Sequence, residues 1–111
     1  IVSYTGSGSA ATIGHGLSGA PEMIIVKNRD ATDSWRVYHA NNTANPETDY
    51  LNLDDSTATT DDAGHWNDTA PTSSVFSIGD AAQTNTNTEK YIASYKTYIR
   101  PTYLFLSGNW I

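Results

Sequence analysis

The chain has 111 residues, twelve acidic against six basic for a formal net charge of -6, and no cysteine. That length fits one domain with a modest core. The charge balance, with Lys and Arg scattered, argues against nucleic acid or anionic lipid as partners, because neutralising phosphate needs clustered cations. Lack of cysteine excludes disulfides, thiolate metal sites and cysteine nucleophiles.

No segment approaches the ~18 apolar residues that span a bilayer, so membrane insertion is not expected. The opening Ile1-Val2-Ser3-Tyr4 has neither an initiator methionine nor a signal-peptide pattern, and reads as a piece of a longer polypeptide or a processed product. Thr, Ser, Asn, Asp, Gly and Ala dominate between the apolar runs. These residues serve strands and turns and are weak helix formers.

In chain order, Val2-Ser3-Tyr4-Thr5 is a short strand candidate, closed by the flexible turn Gly6-Ser7-Gly8-Ser9. Ala10 to Ile13 is a second short strand or extended link. Gly14-His15-Gly16-Leu17-Ser18-Gly19 is a tight glycine loop. Met23 to Val26 follows Pro21 as four unbroken apolar residues, predicting a strand covered on both faces. Trp35-Arg36-Val37-Tyr38-His39 alternates and pairs with it as an antiparallel hairpin, with Asn28-Arg29-Asp30 as the turn.

Tyr50-Leu51-Asn52-Leu53 is a further strand, and Asp54 to Gly64 a long surface loop. His65 to Thr72 is an aromatic-bearing turn. Ser74 to Gly79 is a strand with Phe76 and Ile78 on one face, and Ala81 to Thr88 a polar loop. Tyr91-Ile92-Ala93-Ser94-Tyr95 is a strand whose odd-numbered residues share a face. Tyr98 to Ile111 is crowded with apolar residues, either completing a sheet or meeting a partner. No helix of useful length is signalled. The fold class is all-β: an antiparallel β-sandwich or jelly-roll-like single domain over 1–95, with 96–111 an apolar C-terminal strand or assembly tail.

Three histidines, His15, His39 and His65, are the transition-metal candidates, but none has close metal-site spacing, so no metal is expected. Asp54-Asp55 and Asp61-Asp62 flank one loop without the order of a calcium-binding hand. The glutamates Glu22, Glu47 and Glu89 sit at turns or strand edges, and no G-x-S-x-G elbow exists, so neither enzyme chemistry nor a cofactor is expected. Exposed aromatics carry more signal. Trp35, Tyr38, Tyr50 and Trp66 lie near Asn, Asp and His, the pairing that sugar sites use. The candidate ligand residues are Tyr38, His65, Trp66, Asn67 and Asp68. For Trp35 and Trp66, core filling is the competing role. Asn41-Asn42-Thr43 and Asn67-Asp68-Thr69 match the glycosylation sequon, as chance allows in this composition.

The segments Thr12 to Leu17, Ala20 to Asp30, Trp35 to His39, Trp66 to Ser77 and Tyr91-Ile92-Ala93 together resemble a β domain that recurs, often in tandem, in bacteriophage tail-fibre and other virion proteins. Concanavalin-A-like lectin modules accompany it there. The resemblance covers roughly 1–95 and departs after Ser94. It implies a noncatalytic structural module on the virion surface, acting in assembly and host adhesion. Its partners would be other copies, other virion proteins or a host-surface glycan. It carries over no catalytic or ligand residue. Two other readings stand beside it. One is a carbohydrate-binding module holding host glycans through the aromatic and amide side chains above. The other is a filament subunit that donates Tyr98 to Ile111 to a neighbour's sheet edge.

Overall fold

The computed structural model describes residues 1–97. The apolar tail expected from Tyr98 to Ile111, and its part in any filament, lie outside these residues. Eight strands form: β1 (Val2–Thr5), β2 (Ala11–Gly14), β3 (Met23–Asn28), β4 (Arg36–His39), β5 (Asp49–Asn52), β6 (Thr60–Asp61), β7 (Val75–Ile78) and β8 (Lys90–Lys96). Two single-turn helices, α1 (Ala63–Trp66) and α2 (Ala82–Asn85), and a 3-10 turn at Pro46–Thr48 complete the described elements.

One sheet has the order β1-β8-β3-β4-β5-β6, and a second is the pair β2-β7. Every pairing is antiparallel. The core lies between the sheets. Ile24, Val26, Tyr38, Tyr91 and Ala93 come from the larger, Phe76 and Ile78 from the smaller, and Trp66 fills the gap at one end. The molecule is an all-β sandwich.

The expected hairpin is present, with Met23 opposite His39 and Val26 opposite Arg36. β8 lies on the other side of β3, so the hairpin strand is central in its sheet. Period-2 geometry corrects one expectation. Only Ile24, Val26 and Asn28 of β3 are buried, while Met23, Ile25 and Lys27 stay half-buried. Met23 and Ile25 line a shallow hollow of about 240 Å³ with Ser94, Tyr95 and Lys96. In β8 the alternation is as expected, with Tyr91 and Ala93 inward. Lys96 closes that strand opposite Met23, so β8 runs one residue past the 95/96 boundary.

Three polar stretches differ from their expected form. Asn28 is the fully buried last residue of β3 and no part of the turn. Its amide nitrogen donates to the Tyr91 hydroxyl and to Glu89 and Asp33, and its oxygen accepts from the Asp30 N–H. The stretch from Asp54 to Gly64 contains β6 and the start of α1. The polar run Ala81 to Thr88 holds α2, with Thr84 and Asn85 buried. Hydrogen bonding decides all three, since a buried polar group is tolerated when its partners are supplied.

Candidate functional site

A cleft sits where the β2-β7 ladder ends, beyond its last pair Ala11–Ile78. Asn85 organises it from below. Its side-chain nitrogen donates to the carbonyls of Ser9 and Gly79, each at 2.7 Å, and its side-chain oxygen accepts from the Ser7 N–H at 2.7 Å. The Asn85 main-chain oxygen accepts from the Gly8 N–H. Both amide protons are therefore used, and one buried side chain ties the turn after β1 to the end of β7.

The third wall is α1. Asp62 caps it by accepting from the Gly64 N–H, and Asn67 ends it in the left-handed conformation at φ 56°. Gly79 donates to the His65 carbonyl, and Ala81 to that of Gly64. A side chain on Gly79 would collide with the Gly64 carbonyl oxygen, so glycine is what permits this crossing.

Between the walls lies a cleft of about 360 Å³, whose lining includes Ser9, Gly64, Asn67, Gly79 and Asp80. Much of its main chain is already hydrogen-bonded internally. The Ser9 hydroxyl, the Asn67 amide and the Asp80 carboxylate have no partner among the described residues. Asp80 Oδ1 and Asp62 Oδ1 stand 2.9 and 3.1 Å from the point where a Gly64 Cβ would be. The cleft is thus preformed, acidic and rich in hydrogen-bonding groups.

Of the five expected ligand residues, the structure brings Asn67 to this cleft. Tyr38, His65 and Trp66 require correction as an exposed platform: their exposures are 4%, 1% and 2%. Trp66 packs edge-on against Tyr38, with centroids 6.0 Å apart, and both belong to the core. In a small β domain without cysteine, large rings are the main means of filling the space between sheets. Burial, followed by the charges of Glu47 and Glu22, raises the pKa of the Tyr38 hydroxyl. Asp68 is exposed beside Asn67, also at positive φ, but does not line the cleft. Trp35, just before β4, is 41% exposed, and Tyr50 is half-buried.

Beneath α1 lies a charged cluster that the sequence did not announce. The buried Arg36 donates through Nε to His65 Nε2 at 2.9 Å and through Nη1 to Asn52, with its guanidinium over the Tyr50 ring. His65 lies tilted against the same ring, with centroids 4.0 Å apart. Because His65 Nε2 accepts, its proton sits on Nδ1, which faces Asp62 Oδ2 at 3.5 Å without a hydrogen bond. Burial, and then the Arg36 charge, lower the His65 pKa to about 4. The imidazole is neutral at pH 7.

The remaining candidates have structural duties. His15 bridges the Thr72 carbonyl and the Leu17 N–H, closing the glycine loop. His39 is a half-buried strand end whose Nδ1 accepts from the Asn41 N–H. Asp54 accepts from the Trp35 N–H, and Asp55 from Thr57 and Asn52. Those bonds, the Thr57 N–H foremost, lower the Asp55 pKa. Among the described residues, no group of three His, Cys, Asp or Glu side chains is placed to hold a metal ion.

Sequence reasoning missed Ser9, Asp80 and Asn85. Ser9 and Asp80 stand at the ends of expected strands, where loops converge, but their convergence depends on the β2-β7 register. Asn85 lies in the repetitive run Thr84-Asn85-Thr86-Asn87-Thr88, which offers nothing to distinguish a buried amide from its solvated neighbours.

A family model described as Domain of unknown function (DUF7483) matches residues 1–99. No curated protein and no solved structure matches the chain significantly. The match takes in every described strand and all three walls of the cleft. The chain therefore belongs to the family described as Domain of unknown function (DUF7483).

Proposed function

We propose that this chain is a noncatalytic module of a bacteriophage virion, part of a tail fibre or capsid-surface protein, acting in assembly and in adhesion to the host surface. One observation supports the noncatalytic part above others: the three histidines and several of the aspartates are taken up by structural bonds. His15 and His65 are buried and hydrogen-bonded, and Asp54, Asp55 and Asp62 hold turns or cap a helix. The virion part rests on the sequence resemblance. Loops on a fixed scaffold are where recognition normally resides, and here the scaffold is a sandwich whose loop ends are pinned by Asn85.

The partners on this reading are further copies of the chain, other virion proteins or host-surface material, and the location is the outside of the virion. The purified chain, incubated with intact bacterial cells and separately with the structural proteins encoded beside it, tests this. Retention on either supports the proposal. A stable monomer that binds neither overturns it.

A further inference from the structure

We infer that the cleft walled by Ser9, Asn67 and Asp80 binds the hydroxyl groups of a neutral saccharide; this rests on the adhesion reading above and names its ligand class and site. Charge sets the first limit. Among the described residues, Asp80 is the one ionisable side chain lining the cleft, and Asp62 lies close by on the same side of Gly64. With no cation among the described residues of the lining, the carboxylates disfavour an anionic ligand.

Surface chemistry sets the second limit. The apolar side chains of the lining are the methyl groups of Ala10 and Ala63, too little to hold a hydrophobic ligand. The third limit is the pattern of donors and acceptors. Asp80 only accepts, whereas the Asn67 amide and Ser9 hydroxyl both donate and accept. Vicinal hydroxyls each donate and accept, and so match all three groups. An ammonium would use the carboxylate and leave the Asn67 N–H groups without a role.

Two properties make this a built site. The three side chains are exposed and lack partners among the described residues, so none gives up a protein hydrogen bond to meet a ligand. The walls are fixed before binding, by the Asn85 bonds and the Gly64–Gly79 crossing. Ordering costs are therefore low, and a volume of about 360 Å³ suits a small ligand. The site differs from the aromatic platform expected at Tyr38 and Trp66, whose rings are inside the core.

The test is an array of neutral saccharides probed with the whole chain, followed by calorimetry with galactose, mannose and N-acetylglucosamine. Asp80→Ala, Ser9→Ala and Asn67→Gly are compared with wild type; glycine keeps the left-handed backbone at position 67. Trp35→Ala, an exposed aromatic outside the cleft lining, serves as control. Circular dichroism and thermal melts establish that each variant is folded.

Saccharide binding that falls about tenfold or more in folded Asp80→Ala, and persists in Trp35→Ala, supports the inference. Absence of saccharide binding overturns it, as does binding indifferent to all three cleft variants, or a cleft that takes lysine methyl ester or calcium in preference. The two readings fail separately. Cells or virion proteins retained equally by Asp80→Ala leave the module standing without this site. Cleft-dependent saccharide binding by a chain that captures neither leaves the site standing without the module.

Discussion

Two buried polar centres hold the same end of the sandwich by opposite means. Asn85 is neutral, 1% exposed, and satisfied through three side-chain bonds to main-chain groups of two segments. The Arg36–His65 pair is charged and satisfied in part. His65 Nδ1 and the neighbouring Trp66 Nε1 are buried without a hydrogen-bond partner, and Arg36 has no carboxylate within ion-pair distance among the described residues. A neutral hub gains from every bond without the desolvation cost of an ion. A buried cation must recover that cost first. The first centre should therefore matter more for stability, and the second should be the one that responds to pH.

The largest expected effect is at the neutral hub. Asn85→Ala orphans the Ser7 N–H and the carbonyls of Ser9 and Gly79, of which Gly79 is buried. A loss of about 3–5 kcal/mol follows from three net bonds plus the unpaired groups left behind, read from urea unfolding at pH 7. A loss below about 1 kcal/mol would show that water replaces the amide, and would level the two centres.

Acidification comes next and acts on the charged centre. The folded-state pKa of His65 lies below its ordinary value of 6.5, at about 4. Its contribution is therefore fully present above pH 6.5 and is lost as the pH falls toward 4, because the unfolded chain takes up the proton first. The expected cost is ~2 kcal/mol over that window, discounted from the full linkage value. Unfolding free energies at pH 7, 5.5 and 4 measure it, and a flat profile would remove His65 as the sensor.

How much of this was legible beforehand follows the same division between apolar and polar groups. The hairpin β3-β4 was readable from an unbroken apolar run, a polar turn and an alternating partner strand, and the faces of β8 from period-2 alternation, whatever their neighbours. Asn28, Asn85 and Arg36 were not readable, because a buried polar residue is defined by partners distant in sequence. Asn85 meets Ser9 and Ser7 across 76 and 78 positions. Trp66 looked like a surface ring because Asn67 and Asp68 follow it. Two consecutive left-handed residues turn the chain sharply there, so the ring enters the core while its neighbours remain outside. The cleft was half legible. Asn67 was named for its hydrogen-bonding side chain, whereas Ser9 and Asp80 needed the register of β2 against β7.

Smaller effects come from changing the charges around His65 without removing the ring. Arg36→Met keeps a long apolar stem against Tyr50 and removes the buried cation. Stability at pH 7 should change by less than about 1.5 kcal/mol, since the lost bonds to His65 and Asn52 are offset by the avoided desolvation. Arg36 lowers the His65 pKa, so its removal should raise that pKa and make stability less dependent on pH between 6.5 and 4.

Asp62→Asn is the smallest change and the sharpest control. Asparagine caps a helix about as well as aspartate, so the Gly64 N–H keeps its acceptor and stability should shift by about 0.5 kcal/mol or less. The Asp62 carboxylate raises the His65 pKa, and losing it should move the titration further down, opposite to Arg36→Met. NMR titration of the His65 ring proton in the two variants measures both shifts. Movement in opposite directions identifies electrostatic control of a buried imidazole. Movement in the same direction would mean that each substitution merely loosens α1 and lets water reach the ring, and the contrast with Asn85 would then be one of packing and not of charge.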